Sequence, residues 1–190
     1  MRELLLASTS SARRSLMSAL GVVFRAESPG VDEDVAPGTG VEAAVAELSE
    51  RKARAVLARN PGALVIGSDQ LVSLDGRALG KPADATAARE QLSSLRGRTH
   101  EIFTGLCVVS ADFFACEVDV AKLTVWPLSD AELDAYVATN EWEGCAGGYR
   151  VEARGQALFS TIDGDRAAIQ GLPMQRLVRV LRAAGVKLFA

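Results

Sequence analysis

Histidine and cysteine are scarce in this chain, with one His and three Cys among 190 residues. The cysteines, Cys107, Cys116 and Cys145, are odd in number and lack the paired spacing of a zinc site. That argues against a disulfide framework or a thiolate metal centre and leaves buried thiols as the expectation. His100 has no second imidazole with which to share a metal, so a hydrogen-bonding role in the fold is expected of it. No stretch approaches the about eighteen consecutive apolar residues of a membrane span, and the amino-terminal apolar segment is too short for a signal peptide. A cytoplasmic protein with no membrane partner is therefore expected. Nor is there an excess of positive charge: 21 Lys and Arg stand against 24 Asp and Glu, a net of −3 with the signs interspersed. A nucleic-acid binder needs clustered cations to displace counterions, which argues against that class. Internal repeats and low-complexity linkers are missing as well, and the length suits one domain, or two small lobes, with ample apolar content for a core.

What the chain does have is a dense stretch from Leu64 to Pro82. Leu64, Val65 and Ile66 read as a short buried strand ending in a kink at Gly67, with the carboxylate of Asp69 just beyond. Leu71, Val72 and Leu74 suggest a second strand, and Asp75-Gly76 is a two-residue hairpin signal that folds Lys81 back toward Asp69. A carboxylate and an ammonium brought together suit metal-assisted phosphate chemistry, one group holding a cation or deprotonating water and the other neutralising phosphate oxygens. The glycines before Lys81 do not make a P-loop, because one intervening residue is missing and Pro82 stands where a Mg-binding Ser or Thr belongs. Asp69 also lacks the second aspartate two residues on that an aspartyl-phosphate phosphatase requires. A hairpin with one capping Asp and one surface Lys is the plainer alternative.

Toward the amino terminus, Leu4 to Leu6 lead into Ser8-Thr9-Ser10 and an amphipathic helix from Ser11 to Leu20. Ser10 is an N-cap candidate, and the free N–H groups there, with the Ser8 and Ser10 hydroxyls, form an anion site. Arg13 and Arg14 lie in the first turn, where the helix dipole disfavours cations unless they answer to an anion. Val22 to Ala26 reads as a strand. Asp32-Glu33-Asp34 reads either as a solvated loop or as a source of one carboxylate for a Mg²⁺ shell. Thr39 and Glu42 have the spacing of a capping box for a helix to about Asn60, on which Lys52 by itself would be solvent-facing. Asp84 caps a helix through Leu95, and Thr99 to Ser110 with Ala115 to Val125 read as two antiparallel strands. Ser129 and Glu132 form a second capping box. Cys145 to Gly155 is either a ligand loop or a glycine-containing connector. Ala157 to Ile162 is a last strand, and Gly171-Leu172-Pro173 opens a closing helix with Pro in its first turn.

Taken together these segments resemble the Maf family of nucleoside triphosphate pyrophosphatases. The likeness rests on L-A-S-T-S-x-x-R-R (Leu6 to Arg14), S-P-x-V-D-E (Ser28 to Glu33), the helix with Lys52, V-I-G-S-D-Q (Val65 to Gln70), D-G-R-x-L-G-K-P (Asp75 to Pro82), G-R-T-H-E-x-x-T-G (Gly97 to Gly105), C-A-G-G-Y (Cys145 to Tyr149) and G-L-P (Gly171 to Pro173). The resemblance implies a mixed α/β fold over residues 1–190, with two lobes around a deep cleft as in inosine triphosphatases, and a homodimer. It implies cleavage between the α and β phosphates of a nucleoside triphosphate, giving a monophosphate and pyrophosphate. On that reading Asp69 accepts the proton of the attacking water, Ser8, Arg13, Lys52 and Lys81 grip the phosphates, and Glu33 with Asp69 holds a Mg²⁺ or Mn²⁺ ion. The family's association with septum inhibition implies an alternative role, a nucleotide-binding regulator of cell division.

Three positions separate the branches of the family, here Ala12, Gln70 and Glu152. Gln70 and Glu152 resemble the branch acting on 7-methyl-GTP, whereas a dTTP/UTP or broad-range pyrophosphatase is the alternative. A carboxylate can accept from guanine N1–H and the exocyclic amine together and complements the charge of an N7-methylated base. Ala12 departs from the aromatic expected for stacking on such a base. Tyr149, Trp126 and Trp142 are the other aromatics that could supply it.

Overall fold

A computed structural model describes residues 2–189. It is a mixed α/β structure with seven strands, β1 (Leu4–Ala7), β2 (Arg25–Glu27), β3 (Leu64–Leu74), β4 (Arg77–Leu79), β5 (Thr99–Val109), β6 (Phe114–Val125) and β7 (Phe159–Asp163). Six α-helices are interspersed, α1 (Ser11–Ser18), α2 (Val41–Arg59), α3 (Ala85–Leu95), α4 (Asp130–Val137), α5 (Arg166–Ile169) and α6 (Met174–Ala183). The strands join in the order β2-β1-β3-β5-β6-β7, with β4 paired to β3. β1 is parallel to both β2 and β3, with Leu4 beside Leu64 and Ala7 beside Gly67. The chain divides into two compact units, the first made of residues 1–70, 104–119 and 165–190, the second of residues 71–103 and 120–164.

In the first unit the period-two alternation of the strands sorts their side chains onto two covered faces. Leu4, Leu6, Leu64, Ile66, Leu106 and Val108 pack against Met17 of α1 and Leu177, Val180 and Leu181 of α6. The intervening residues Leu5, Ala7, Val65, Cys107 and Val109 pack against Ala53 and Val56 of α2. Helix α1 starts where expected, with the Ser10 side chain accepting from the Arg13 N–H. The Thr39/Glu42 capping box does not form: α2 begins one residue later than that spacing requires, with Gly40 at the N-cap and no side-chain cap bond. The second strand is also displaced, from Val22–Ala26 to Arg25–Glu27, where the chain comes into register with Leu5 to Ala7. Pro173 stands at the N-cap of α6 instead of in its first turn.

Gly67 does not break β3, which runs unbroken from Leu64 to Leu74 where two strands were expected. Its glycine answers to a close approach and not to a kink. A Cβ at Gly67 would lie 2.2 Å from the Ser49 carbonyl oxygen of α2, and one at Gly105 on β5 would lie 2.3 Å from the Ser49 hydroxyl. Two strand positions without side chains thus let the helix sit directly on the sheet. Of the cysteines, Cys107 alone is buried, while Cys116 and Cys145 are half-buried.

In the second unit the Asp75-Gly76 hairpin forms as expected, both residues having positive φ (52° and 78°), the combination that matches the twist of the flanking strands. Asp84 caps α3, and Ser129 with Glu132 closes a complete capping box on α4. The last strand starts at Phe159, because residues 154–158 are wound into a 3-10 turn.

His100 takes the structural place expected of it, 1% exposed, with Nε2 2.6 Å from the Tyr149 hydroxyl and the rings of Tyr149 and Phe159 around it. Burial lowers its pKa from 6.5 to about 4. The unfolded chain therefore binds this proton more readily than the folded one. The resulting stability is fully present above pH 6.5, declines as the pH falls toward 4, and is exhausted below that. Over that window the loss attributable to His100 should approach about 3 kcal/mol. Urea unfolding at a series of pH values should show a steeper acid decline for the native chain than for His100→Gln.

Candidate active site

The centre of the first unit's polar chemistry is Lys52, a cation only 5% exposed on the sheet-facing side of α2. Its ammonium lies 2.5 Å from Asp69 Oδ1 and 2.6 Å from Glu33 Oε1. A buried charge is tolerated only when paired and hydrogen-bonded, and Lys52 has two anionic partners. The solvent-facing lysine expected of an isolated helix position is thus corrected, because α2 lies against β3 at Asp69. Asp69 itself is 7% exposed. Its backbone N–H donates to the Ser49 hydroxyl at 2.9 Å, and that hydroxyl donates to the Val45 carbonyl at 2.7 Å. Ser49, seated against Gly67 and Gly105, therefore sets how near α2 brings Lys52 to the carboxylate one helical turn further on.

The acidic segment 32–34 is not freely solvated. Arg51 Nη1 donates to the Asp32 and Asp34 carbonyls, at 2.8 Å each, while the neighbouring Lys52 takes the Glu33 carboxylate. Successive residues of α2 thereby clamp this segment, one by its backbone and one by its side chain. Among the described residues there is no group of three or more His, Cys, Asp or Glu side chains that could hold a metal ion. Two carboxylates converging on one ammonium nonetheless fit a Mg²⁺-type ion, which characteristically takes one or two carboxylates and completes its shell with substrate phosphate oxygens.

Strand alternation sends the residues flanking Asp69 to the opposite face. The Ser68 hydroxyl donates to the Gly171 carbonyl at 2.9 Å, and the same carbonyl accepts from Arg13 Nε at 2.8 Å. Arg13 is thus held by one edge of its guanidinium. Burial lowers its pKa, while Asp69 and Glu33 pull the other way by charge attraction. The guanidinium stays protonated in any case. Arg14, by contrast, is exposed. Ser8 is buried, and its hydroxyl accepts from the Ser10 N–H at 3.1 Å, shaping the turn into α1. Gln70 Nε2 lies within 3.0 Å of Thr104 Oγ1 and of the Ala168 and Ile169 carbonyls, all in the first unit. Ala12 follows on α1, partly buried.

Lys81 and Glu152 belong to the second unit, and both are exposed. Lys81 follows β4 by two residues, and Glu152 lies 3.7 Å from Arg150 Nε. Within the same unit Tyr149 is buried beside His100, and a Cβ at Gly147 would strike its ring at 2.7 Å. The glycines of C-A-G-G-Y therefore make room for an internal aromatic. Trp142 is buried too, its Nε1 donating to the Val137 carbonyl. Trp126, 50% exposed, is the member of the three with an open face.

Sequence reasoning gave no site role to Ser49, Arg51, Ser68 or Gly171, although the last two lie within the V-I-G-S-D-Q and G-L-P motifs. Of the first two, Ser49 could have been suspected as a small polar residue on the apolar face that Val45, Leu48 and Val56 define. The other two act only through contacts made across the fold.

These features can be set beside known proteins. The family described as Maf-like protein matches residues 3–184. The chain is 40% identical over 189 residues to the 7-methyl-GTP pyrophosphatase of Albidiferax ferrireducens, covering 98% of this chain and 95% of that protein. It is 39% identical over 191 residues to the dTTP/UTP pyrophosphatase of Symbiobacterium thermophilum, covering 100% and 97%. Among solved structures, the Staphylococcus aureus Ham1 protein superposes with a TM-score of 0.55 at 15% identity, over 97% of this chain and 100% of that one. At that identity the likeness speaks for the fold alone.

Ser49→Ala should leave the buried Asp69 N–H without its acceptor and lower unfolding stability by about 1–3 kcal/mol. Gly105→Ala should lower it further, since a Cβ there meets the same hydroxyl at 2.3 Å. Urea denaturation of both variants beside the native chain measures the two losses.

Proposed function

The chain belongs to the Maf family, and from that premise we propose that it is a nucleoside triphosphate pyrophosphatase, adding water between the α and β phosphates to release a nucleoside monophosphate and pyrophosphate. The observation that carries the reading is the buried Lys52 ammonium shared by Asp69 and Glu33. Such an arrangement pairs a buried carboxylate with a cation for which an incoming phosphate can compete.

In the resting state Asp69 is paired with Lys52. When a triphosphate arrives, its oxygens compete for the ammonium, and Lys52 turns from carboxylate to phosphate. Asp69 is then released as the general base that takes the proton of the attacking water. Arg13, anchored through Nε to the Gly171 carbonyl, offers its remaining N–H groups to phosphate oxygens, a planar fork that lysine would not reproduce. Ser8 and the free N–H groups at the start of α1 add hydrogen bonds to the same anion. Lys81 is assigned a phosphate contact, and Glu152 a contact with the base, on the strength of the motifs they occupy. Glu33 and Asp69 would hold a Mg²⁺ or Mn²⁺ ion together with the substrate, and when bound it neutralises phosphate charge and favours attack at phosphorus.

For the base, Glu152 favours a guanine edge, and the positive charge of a 7-methylated ring strengthens that preference. Ala12 offers no stacking surface and Tyr149 and Trp142 are buried, which leaves Trp126 as the exposed aromatic of the three, and the base assignment rests on the Glu152 carboxylate. A second reading, a pyrimidine-preferring dTTP/UTP pyrophosphatase, is supported by the almost equal identity to a relative of that name.

Purified protein with Mg²⁺ or Mn²⁺, offered 7-methyl-GTP, GTP, dTTP, UTP and CTP in parallel, should release pyrophosphate and monophosphate fastest from 7-methyl-GTP. Asp69→Asn should lower the rate by roughly 10²–10³. Preference for a pyrimidine would replace the first base assignment with the second. Folded protein that yields no pyrophosphate from any of the five would sink the reaction class.

A further inference from the structure

Cys107 and Cys116 lie on neighbouring strands, β5 and β6, joined by a tight connection in which the Ser110 N–H donates to the Phe113 carbonyl at 2.8 Å. Counting back along both strands from that hydrogen-bonded pair, residues 109 and 114, then 108 and 115, then 107 and 116 face each other. Hydrogen-bonded and non-hydrogen-bonded pairs alternate in an antiparallel ladder, so Cys107 and Cys116 form a non-hydrogen-bonded pair. In such pairs the Cα atoms are about 4.5 Å apart, within the span a disulfide bridges. The side chains leave the same face of the sheet, and Cys116 packs against the cluster of buried residues that holds Cys107.

Their surroundings are unequal. Cys107 is fully buried among Leu5, Val65 and Val56, and the neighbouring Cys116 thiol, together with burial, holds its proton tightly. Cys116 is half-buried, its Sγ 3.9 Å from the Ala46 carbonyl of α2, and the neighbouring Cys107 thiol favours its thiolate. Two charged side chains of α2 act on it, Arg54 favouring the thiolate and Glu50 opposing it. Arg54 lies over the ring of Phe114, two residues earlier on β6. A half-buried, thiolate-prone sulfur backed by a fully buried thiol is the arrangement of an attacking and a resolving cysteine.

We propose that Cys107 and Cys116 are an oxidative modification site that closes to an intramolecular disulfide with hydroperoxides. The Cys116 thiolate attacks one peroxide oxygen, the O–O bond breaks, and the product is a sulfenic acid with release of hydroxide. The Cys107 sulfur then attacks the Cys116 sulfur, forming the S–S bond and expelling a second hydroxide. The protons of the two thiols convert both hydroxides to water, so two thiols and one hydrogen peroxide give one disulfide and two waters. A dithiol reductant reverses the change by exchange.

The test treats the folded full chain with hydrogen peroxide, counts free thiols, and maps disulfides by mass spectrometry of unreduced digests. Three free thiols should fall to one, Cys145, with the Cys107 and Cys116 peptides joined within a single chain and dithiothreitol restoring the count. Cys107→Ala should leave Cys116 as a sulfenic acid that dimedone traps, and Cys116→Ser should leave Cys107 reduced. Retention of all three thiols, faster loss of Cys145, or a disulfide between chains would overturn the proposal. So would closure only after unfolding in urea.

Discussion

The ion pair between Lys52 and Asp69 is the interaction on which the first unit's polar arrangement depends. A lone ammonium or carboxylate held away from water would be neutralised or expelled, and removing one partner of a buried pair typically destabilises by about 3–5 kcal/mol. Here the two charges are brought together by a helix that rests on bare backbone. Gly67 and Gly105 admit Ser49, Ser49 receives the Asp69 N–H, and the next turn of α2 delivers Lys52 to the carboxylate. Arg51 and Lys52 then draw in the segment that carries Glu33. The charges are therefore a consequence of packing. Side chains at the two glycines would lift the helix and separate the pair before any charged residue was touched.

The elements whose signals are local were legible in the sequence. The Asp75-Gly76 turn, the Ser10 and Asp84 caps and the Ser129/Glu132 box all formed, because each is decided within four or five residues by backbone groups needing partners. Where sequence reasoning failed, distant contacts decided. Gly67 reads as a strand breaker until α2 is laid against it, and Lys52 reads as a solvent-facing lysine until β3 supplies Asp69. The Thr39/Glu42 spacing was correct for a capping box, yet α2 starts at Val41 with a glycine cap.

The candidate site was legible to a different degree. Asp69, Glu33, Lys52 and Arg13 were found through the pattern of motifs, and electrostatics links all four within the first unit. The positioning roles of Ser49, Ser68 and the Gly171 carbonyl were not, although Ser68 and Gly171 lie inside such motifs, since the partners of a buried serine or a backbone oxygen leave no mark on composition or spacing. The C-A-G-G-Y motif resolved toward the plainer of its two readings at its aromatic, because Tyr149 turned out to be core.

β3 has one further consequence. Asp69 faces α2 while Ser68 and Gln70 face α5 and the turn before α6, so adjacent residues of one extended strand serve two helical layers at once. What must be transmitted from one variant of this protein to the next is therefore the phase of the strand as well as its letters. A deletion of one residue between Leu64 and Ser68 would keep Ser68, Asp69 and Gln70 in the polypeptide and turn each toward the wrong layer. Length changes within β3 are thus excluded by geometry, and the two-residue Asp75-Gly76 turn, whose length fixes the pairing of Leu74 with Arg77, is under the same constraint.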